Sequence, residues 1–290
     1  MARIIPPSEL IINADGSVFH LHIKPEQLAD RVIMMGDPDR VNMVASHFDN
    51  IECDVQSREF HTITGVYKGK RITALSHGIG GDNIDIVLTE LDALANVDFE
   101  TRQLRPSFRQ LSMVRIGTSG SMQADIPIGS YIAAEKSIGF DGVIYFYADS
   151  ESVRDAAMEA QLLEQLDWQI KGLTPYVVSA DASLLEQITQ QDIPHGCTIA
   201  ANGFYGPQGR HLRMGLADAN LNNKIEHFAF NGKRITNYEM ESSVLSGLSS
   251  LMGHRSLTVC CIIAGRAVKN MNTDYKEALP RLVETILDRI

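Results

Sequence analysis

The chain has 290 residues, of which 44% are hydrophobic and 21% are charged, a composition typical of a globular protein. Its formal net charge of -10 disfavours a surface for nucleic acid or for an anionic membrane, because either partner requires a basic face. The four cysteines contain no CxxC pair, so zinc-ribbon and thioredoxin functions are not predicted. Neither a signal peptide nor an apolar run of ~18 residues is recognised, and we predict a cytoplasmic protein without a membrane segment.

The N-terminal half alternates short apolar runs with turns that contain glycine. The spacing of the apolar residues separates predicted strands from predicted helices. In chain order we predict an extended arm over 1–18, a strand over Arg31–Met35, a helix over Val41–Phe48, a hairpin of His61–Tyr67 and Arg71–Ser76, and a helix over Ile84–Leu94. Residues 95–111 are polar and contain Pro106, which predicts an excursion between that helix and the next strand.

The C-terminal half continues the alternation of strands and helices. The predicted strands are Gly129–Ala134, Gly142–Tyr147, Tyr176–Ser179, Thr198–Ala200 and Ser256–Ile263, and the predicted helices are Ser152–Ile170, Ile235–Met252 and Tyr275–Ile290. A strand followed by a glycine turn and a helix recurs near residues 36, 78 and 117 without a linker. This recurrence favours one α/β domain over residues 19–290 with a central sheet.

The stretch from Ser112 to Gly120 (SMVRIGTSG) reads as a strand that ends in a glycine-rich turn. If it runs parallel to the strand before Gly36, then Arg40 and Arg115 converge at the same edge of the sheet. Two guanidinium groups, turn N–H groups and the Thr118 hydroxyl would together suit a phosphate ion. An ordinary surface ion pair is the alternative for each arginine. None of the glycine turns has the spacing of a dinucleotide-binding or P-loop motif.

A second informative stretch lies at Phe204–Arg210 (FYGPQGR). Gln208 and Arg210 are two residues apart, so on an extended segment their side chains point the same way. An amide and a guanidinium could read a flat heterocycle that carries carbonyl and N–H groups, with Phe204 against its ring or a sugar. A surface β-turn is the alternative. Further along, Glu241 could accept hydrogen bonds from vicinal sugar hydroxyls, although a carboxylate at a helix start needs no functional role.

Five segments in this order resemble the nucleoside phosphorylase-I family: Gly36–Arg40, Ser57–Phe60, Gly78–Gly80, Arg115–Thr118 and Asn237–Ser242. The Phe204, Gln208 and Arg210 pattern is similar to the base-reading loop of the uridine-cleaving branch, and the resemblance extends from about Phe19 to the C-terminus. It implies a single-domain, three-layer α/β/α fold around a mixed, partly barrel-like sheet. It also implies pentosyl transfer, the reversible phosphorolysis of uridine to uracil and ribose 1-phosphate in pyrimidine salvage, with deoxyuridine and thymidine as further candidate substrates.

The resemblance further implies a site shared between two subunits. The residues implied for phosphate are Gly36, Arg40, Arg115 and Thr118, with Arg58 from the neighbouring subunit. Those implied for ribose are Met240 and Glu241, with His20 from the neighbour, and those implied for the base are Phe204, Gln208, Arg210 and Arg266. Catalysis is expected of Arg115, Glu241, Gln208 and Arg210. Inorganic phosphate is a co-substrate in this scheme, and no cofactor is expected.

Two departures from the family pattern bear on assembly and metal binding. The excursion at 95–111 resembles dimeric members, so we expect a dimer with shared active sites, with a hexamer built as a trimer of dimers left open. Asn83 replaces a serine that helps hold a potassium ion in hexameric members, and no metal is predicted.

The substrate assignment has three alternatives. Purine-handling members place an aspartate after the last core strand, whereas this chain reads Ile262-Ile-Ala-Gly-Arg266, which favours a pyrimidine. A purine nucleoside phosphorylase, a nucleosidase that uses water, and a catalytically silent nucleoside-binding protein are the alternatives. A nucleosidase would not need the full set of arginines.

Overall fold

A mixed sheet organises the fold of the computed structural model, which describes residues 3–265, 270–271 and 277–290. The strands are β1 (Arg31–Met35), β2 (Asn50–Ser57), β3 (Phe60–Tyr67), β4 (Lys70–Ser76), β5 (Val97–Asp98), β6 (Gln103–Leu104), β7 (Ser112–Ser121), β8 (Tyr131–Phe140), β9 (Tyr176–Ser179), β10 (His195–Ala201), β11 (Ala229–Phe230), β12 (Lys233–Glu239), β13 (Arg255–Gly265) and β14 (Asn270–Met271). The helices are α1 (Pro38–Ala45), α2 (Gly81–Asn96), α3 (Ala156–Gln165), α4 (Ala182–Thr189), α5 (Leu221–His227), α6 (Ser242–Met252) and α7 (Ala278–Arg289).

The main sheet closes on itself over part of its width. Its strands follow the order β11-β12-β10-β8-β13-β7-β1-β4-β3-β2, and β12 also pairs with β7. That extra pairing is antiparallel and joins Asn237 to Ser121 and Tyr238 to Gly120. Strands β7, β13, β8, β10 and β12 therefore form a closed ring, and β1 to β4 extend from it as an open sheet. The predicted mixed, partly barrel-like sheet is confirmed.

Helices cover both faces of the sheet, which is the predicted three-layer arrangement. Alternate residues of β1 point to opposite sides, as the period of a strand requires. Ile33 and Met35 pack in a core with residues of α1, α4 and α7. Val32 and Met34 pack in a second core with residues of α2 and α6. Because β1 is buried on both faces, it reads as an uninterrupted apolar run in the sequence.

Most predicted elements are present, and three differ. Val143–Phe146 is a 3-10 turn rather than a strand, and its Phe146 is exposed. Ile235–Met252 is not one helix, because the chain continues as β12 to Glu239 before α6 begins at Ser242. The glycines after Arg115 do not form a turn, because β7 runs through them to Ser121 and pairs with β13 over that length. No helix follows β7 directly.

The N-terminal segment packs on the excursion at 95–111. The Ile5 amide donates to the Arg102 carbonyl at 2.8 Å, and the Arg102 guanidinium returns a bond of 2.7 Å to the Ile5 carbonyl. Leu10 lies in a small apolar cluster with Ala93 and Val97. The two segments that sequence patterns separate from the core therefore contact each other, while the predicted domain boundaries stay predictions. None of the helices in the described ranges is both long enough and apolar enough to cross a bilayer.

Candidate active site

A cavity of about 500 Å³ lies where the closed ring of strands meets the turns after β1 and β4. Nine of the twelve predicted site residues line it: Gly36, Arg40, Arg115, Thr118, Phe204, Gln208, Arg210, Met240 and Glu241. A second cavity of about 450 Å³ is lined by Asp125, Glu135 and His195 among others, and by none of the predicted residues. The residues singled out by sequence pattern thus meet in one place, although they come from four separate parts of the chain.

Local structure explains why Arg40 reaches the cavity. Strand β1 runs parallel to β7, with Met34 opposite Arg115, so both strands point the same way. Asp37 caps α1 by accepting a hydrogen bond of 3.0 Å from the Asp39 amide, which places Arg40 in the first helical turn. The turn after β1 also approaches the turn after β4 closely. A Cβ on Gly36 would lie 3.1 Å from the Gly78 carbonyl oxygen, so this position favours glycine.

Arg115 is buried at the centre of a polar network. Its Nε donates to His77 Nε2 at 3.1 Å, its Nη1 donates to Glu239 at 2.9 Å, and its Nη2 donates to Glu241. Burial would lower the pKa of Arg115, but Glu241 and Glu239 outweigh it and raise the pKa, so the guanidinium stays charged. The sequence pattern predicts that Arg115 binds phosphate. In the structure, protein groups already engage all three of its nitrogens, so Arg115 also fixes β7 to the segment that carries Glu239 and Glu241.

The two glutamates at the start of α6 have different surroundings. Glu239 accepts bonds from the Glu241 and Ser242 amides and from the Ser242 hydroxyl, in addition to Arg115. Glu241 accepts a bond of 2.8 Å from the Gly80 amide and lines the cavity. Burial raises the pKa of Glu241, and Arg115 opposes that rise. Both glutamates line the cavity, but Glu239 holds the helix start, whereas Glu241 joins the turn at Gly80 to Arg115.

Sequence reasoning assigned no role to Glu239 or His77. His77 is fully buried, and burial and then the Arg115 charge lower its pKa well below the ordinary value. The imidazole is therefore neutral, and its Nε2 is the acceptor for Arg115. The only sequence signal for either residue is its local context. His77 stands between a strand and a glycine turn, and Glu239 follows a strand-like run, and neither position by itself reveals a contact with Arg115.

The pair formed by Gln208 and Arg210 is present, but the backbone that forms it is not extended. Residues Gly206–Gln208 make a 3-10 turn, and Gly209 has φ +70°. The turn brings Arg210 Nη1 within 2.6 Å of Gln208 Oε1, and it places the guanidinium carbon 3.6 Å from the centroid of the Phe204 ring. Gln208 is buried, and Phe204 is 49% exposed. The geometry leaves a polar edge beside an aromatic face, which suits a flat heterocycle.

Two predicted residues that the structure describes, His20 and Arg58, do not line the cavity. Both residues contact Phe19. The centroid of its ring is 4.8 Å from the His20 ring centroid and 5.5 Å from the Arg58 guanidinium carbon. Arg266 lies outside the described residues. Within the part of the chain that the structure describes, no three His, Cys, Asp or Glu side chains are grouped as metal ligands would be.

Comparisons with known proteins agree with this arrangement. The family model of the phosphorylase superfamily matches residues 30–288. A uridine phosphorylase of Thermococcus kodakarensis is 28% identical over 254 residues, covering 87% of this chain and 79% of that protein. A uridine phosphorylase of Haemophilus influenzae is 29% identical over 254 residues, 87% of each chain.

Similarity extends to a solved structure. The crystal structure of a Trypanosoma brucei nucleoside phosphorylase, described as showing uridine phosphorylase activity, matches with a TM-score of 0.87 and 28% identity. The match covers 97% of this chain and 98% of that one. Since the family match spans most of the sequence and the fold agrees over nearly its whole length, this chain belongs to the phosphorylase superfamily.

Proposed function

We propose that the protein is a uridine phosphorylase, a pentosyltransferase that converts uridine and phosphate to uracil and ribose 1-phosphate. The observation that carries the proposal is the presence of the Gln208–Arg210 pair in the same cavity as Arg40, Arg115 and Glu241. A phosphate, a sugar and a base can therefore be held together. The names of the Thermococcus and Haemophilus relatives support the same activity.

The proposed reaction is a displacement at the anomeric carbon. A phosphate oxygen forms a bond to C1′ while the bond from C1′ to N1 of uracil breaks, through a sugar with oxocarbenium character. The base leaves with negative charge spread over its ring and oxygens, and donors from Arg210 and Gln208 stabilise that charge. Uracil then takes up a proton from solvent, and the hydrogen phosphate group gives up its own proton once it is esterified, so no net proton is consumed. Arg40 and Thr118, with the turn at Gly36, would hold phosphate in line, which contributes mainly by positioning.

Ribose would be held from the other side of the cavity. Glu241 faces the cavity and can accept hydrogen bonds from the 2′- and 3′-hydroxyls. Met240 would pack against the sugar. No cofactor is part of the proposal, and removal of metal ions by a chelator should leave the rate unchanged.

The alternatives are separated by one set of assays. The protein is incubated with uridine, thymidine and inosine, with and without phosphate, and release of the base is followed. We expect phosphate-dependent release of uracil from uridine. Release without phosphate would favour a nucleosidase, cleavage of inosine alone would favour a purine enzyme, and no release would favour a binding protein.

We propose in addition a homodimer in which each site is completed by the neighbour; a hexamer built as a trimer of such dimers stays the open alternative. The support is that His20 and Arg58 lie together but outside the cavity of their own chain. Mixing Arg58→Ala subunits with Arg210→Ala subunits then rebuilds one complete site in each mixed dimer. We expect activity to return to about a quarter of the wild-type value, since half of the dimers are mixed. No recovery after exchange of subunits would contradict shared sites.

A cytoplasmic location is part of the proposal. Its support is that the four cysteines are free thiols, three of them buried, as in proteins of a reducing compartment. Cell fractionation tests it.

A further inference from the structure

Glu90, on α2 and remote in sequence from the predicted site, binds the segment that carries His20. It is only 7% exposed, and its carboxylate accepts bonds from the His20 amide at 2.9 and 3.1 Å and from the Leu21 amide at 2.9 Å. Its Oε1 also lies 2.7 Å from His20 Nδ1. Every hydrogen bond described for this carboxylate thus goes to two adjacent residues, one of which is predicted to contact the substrate.

The carboxylate decides which ring nitrogen of His20 carries the proton. An ionised carboxylate can only accept hydrogen bonds, so Nδ1 must be the donor in this pair. In the neutral imidazole the other nitrogen, Nε2, then presents a lone pair and acts as an acceptor. Edge contacts with the rings of Phe19 and Phe60, at 4.8 and 6.2 Å, hold the ring plane.

The His20 side chain is partly open to the surroundings of its own chain. The His20 side chain is 27% exposed, and within the described residues no hydrogen bond is made by its Nε2. The Arg58 guanidinium carbon lies 5.5 Å from the centroid of the Phe19 ring, which also contacts the His20 ring. A group that approaches this face from a neighbouring subunit therefore meets an acceptor nitrogen whose orientation and tautomer are both fixed.

We propose that Glu90 is a positioning residue, which sets the tautomer of His20 so that Nε2 selects a 5′-hydroxyl for its ability to donate a hydrogen bond. The proposal rests on the proposed function with shared sites, and on the family resemblance, which implies that His20 meets the 5′ end of the ribose in the neighbouring site. A 5′-ether, which can only accept, then meets a second acceptor and is disfavoured. A 5′-deoxy sugar, which does neither, loses the bond without that repulsion.

The variant Glu90→Gln tests this by reversing the tautomer with little change of shape. The amide oxygen of Gln can replace Glu90 Oε2 and keep the bonds from the Leu21 amide and, at 3.1 Å, from the His20 amide, while the bond of 2.9 Å from the His20 amide to Oε1 is lost. The Gln Nε2 then replaces Oε1 and donates to His20 Nδ1, so the ring proton moves to His20 Nε2, which becomes a donor. Glu159→Gln is the matched control, because Glu159 is a buried glutamate that also binds a backbone amide, that of Val177, away from the cavity.

The readout is the ratio of kcat/KM for 5′-O-methyluridine to that for 5′-deoxyuridine. We expect this ratio to rise about tenfold in Glu90→Gln, as one hydrogen bond gained by the ether predicts. It should stay unchanged in Glu159→Gln, and a second substitution, His20→Ala, should abolish the rise. A merely structural role of Glu90 would change both substrates alike, and an unchanged ratio would overturn the proposal.

The tautomer can be measured on the wild-type protein as well. Nitrogen-15 NMR of labelled histidine should show the His20 proton on Nδ1 in the wild type, whether or not the variant folds. A proton on Nε2 would overturn the proposal. Absence of uridine cleavage by the wild type would instead refute the proposed function, and the NMR result would still decide how Glu90 acts on His20.

Discussion

Arg210→Ala is the substitution whose effect the structure predicts most sharply. In the ground state the change removes a charge-assisted hydrogen bond of 2.6 Å to Gln208 and a guanidinium stacked 3.6 Å from the centroid of Phe204. The hydrogen bond contributes about 1.5–3 kcal/mol to the stability of the loop conformation. The cation–π contact contributes a further ~0.5–2 kcal/mol. The larger effect falls on catalysis. Loss of one donor aimed at developing negative charge costs about 2.7–4 kcal/mol, or roughly 10²–10³-fold in kcat.

The assay is steady-state release of uracil from uridine at saturating phosphate, with the KM for phosphate measured in parallel. Arg154→Ala is the matched control, because the Arg154 guanidinium also lies over a ring, that of Tyr145 at 5.0 Å, and is paired with Glu159 outside the cavity. We expect the control to retain its rate and the KM for phosphate to be unaffected in both variants. A folded Arg210→Ala protein within threefold of the wild-type kcat would refute the role of Arg210 in stabilising the leaving base.

Two further predictions concern the buried centre of the site. In Gly117→Ala the new Cβ would lie 2.6 Å from Arg115 Nη1, so the guanidinium must shift. We expect kcat/KM to fall about 10²-fold, as for a displacement near 1 Å of a catalytic group. The control Gly142→Ala has open space around its Cβ and should keep wild-type activity. Burial raises the pKa of Cys197 to about 11 and that of Cys260 to about 12. In a thiol titration of the native protein at pH 8 we therefore expect neither cysteine to react. Rapid modification of Cys260 would contradict the packing around Arg115.

Local periodicity was sufficient for much of the fold. Arg31–Met35 is an apolar run of strand length with a glycine turn after it, and the structure has a strand with those bounds. The hairpin about Lys68–Lys70 and the helix over Ile84–Leu94 are also present, each with ends shifted by a few residues. In these elements the spacing of apolar residues and the turn residues indicate the same structure, so short-range information decides the outcome.

The errors have tertiary causes. Residues Lys233–Glu239 form a strand because β10 and β7 pair with them on both sides, an interaction that their own spacing does not encode. Gly117 and Gly120 look like turn residues, yet they lie within β7. At Gly117 the absence of a side chain makes room for the Arg115 guanidinium, and Gly120 pairs with Tyr238 where the ring of strands closes. Glycine marks close approach as well as turns, and only the packed structure distinguishes the two.

The site residues show the same difference between what short-range sequence patterns reveal and what only tertiary contacts decide. Those that lie in a motif, such as Arg40 and Arg210, could be named from the sequence. The contacts that orient them could not, because Arg115 is held by His77 and Glu239, which are 38 and 124 residues away along the chain. Glu90 is 70 residues from His20 and appears in the sequence as one more polar residue of a helix.

The central claim is that one cavity brings phosphate to the anomeric carbon of uridine as the attacking group. Phosphorus-31 NMR of the protein with uridine and phosphate tests this directly, because it shows whether the phosphate becomes covalently attached to the sugar. We predict that one ribose 1-phosphate forms for each uracil released, and that the reaction reverses when ribose 1-phosphate and uracil are supplied. Release of uracil with free ribose and unchanged phosphate would contradict the account.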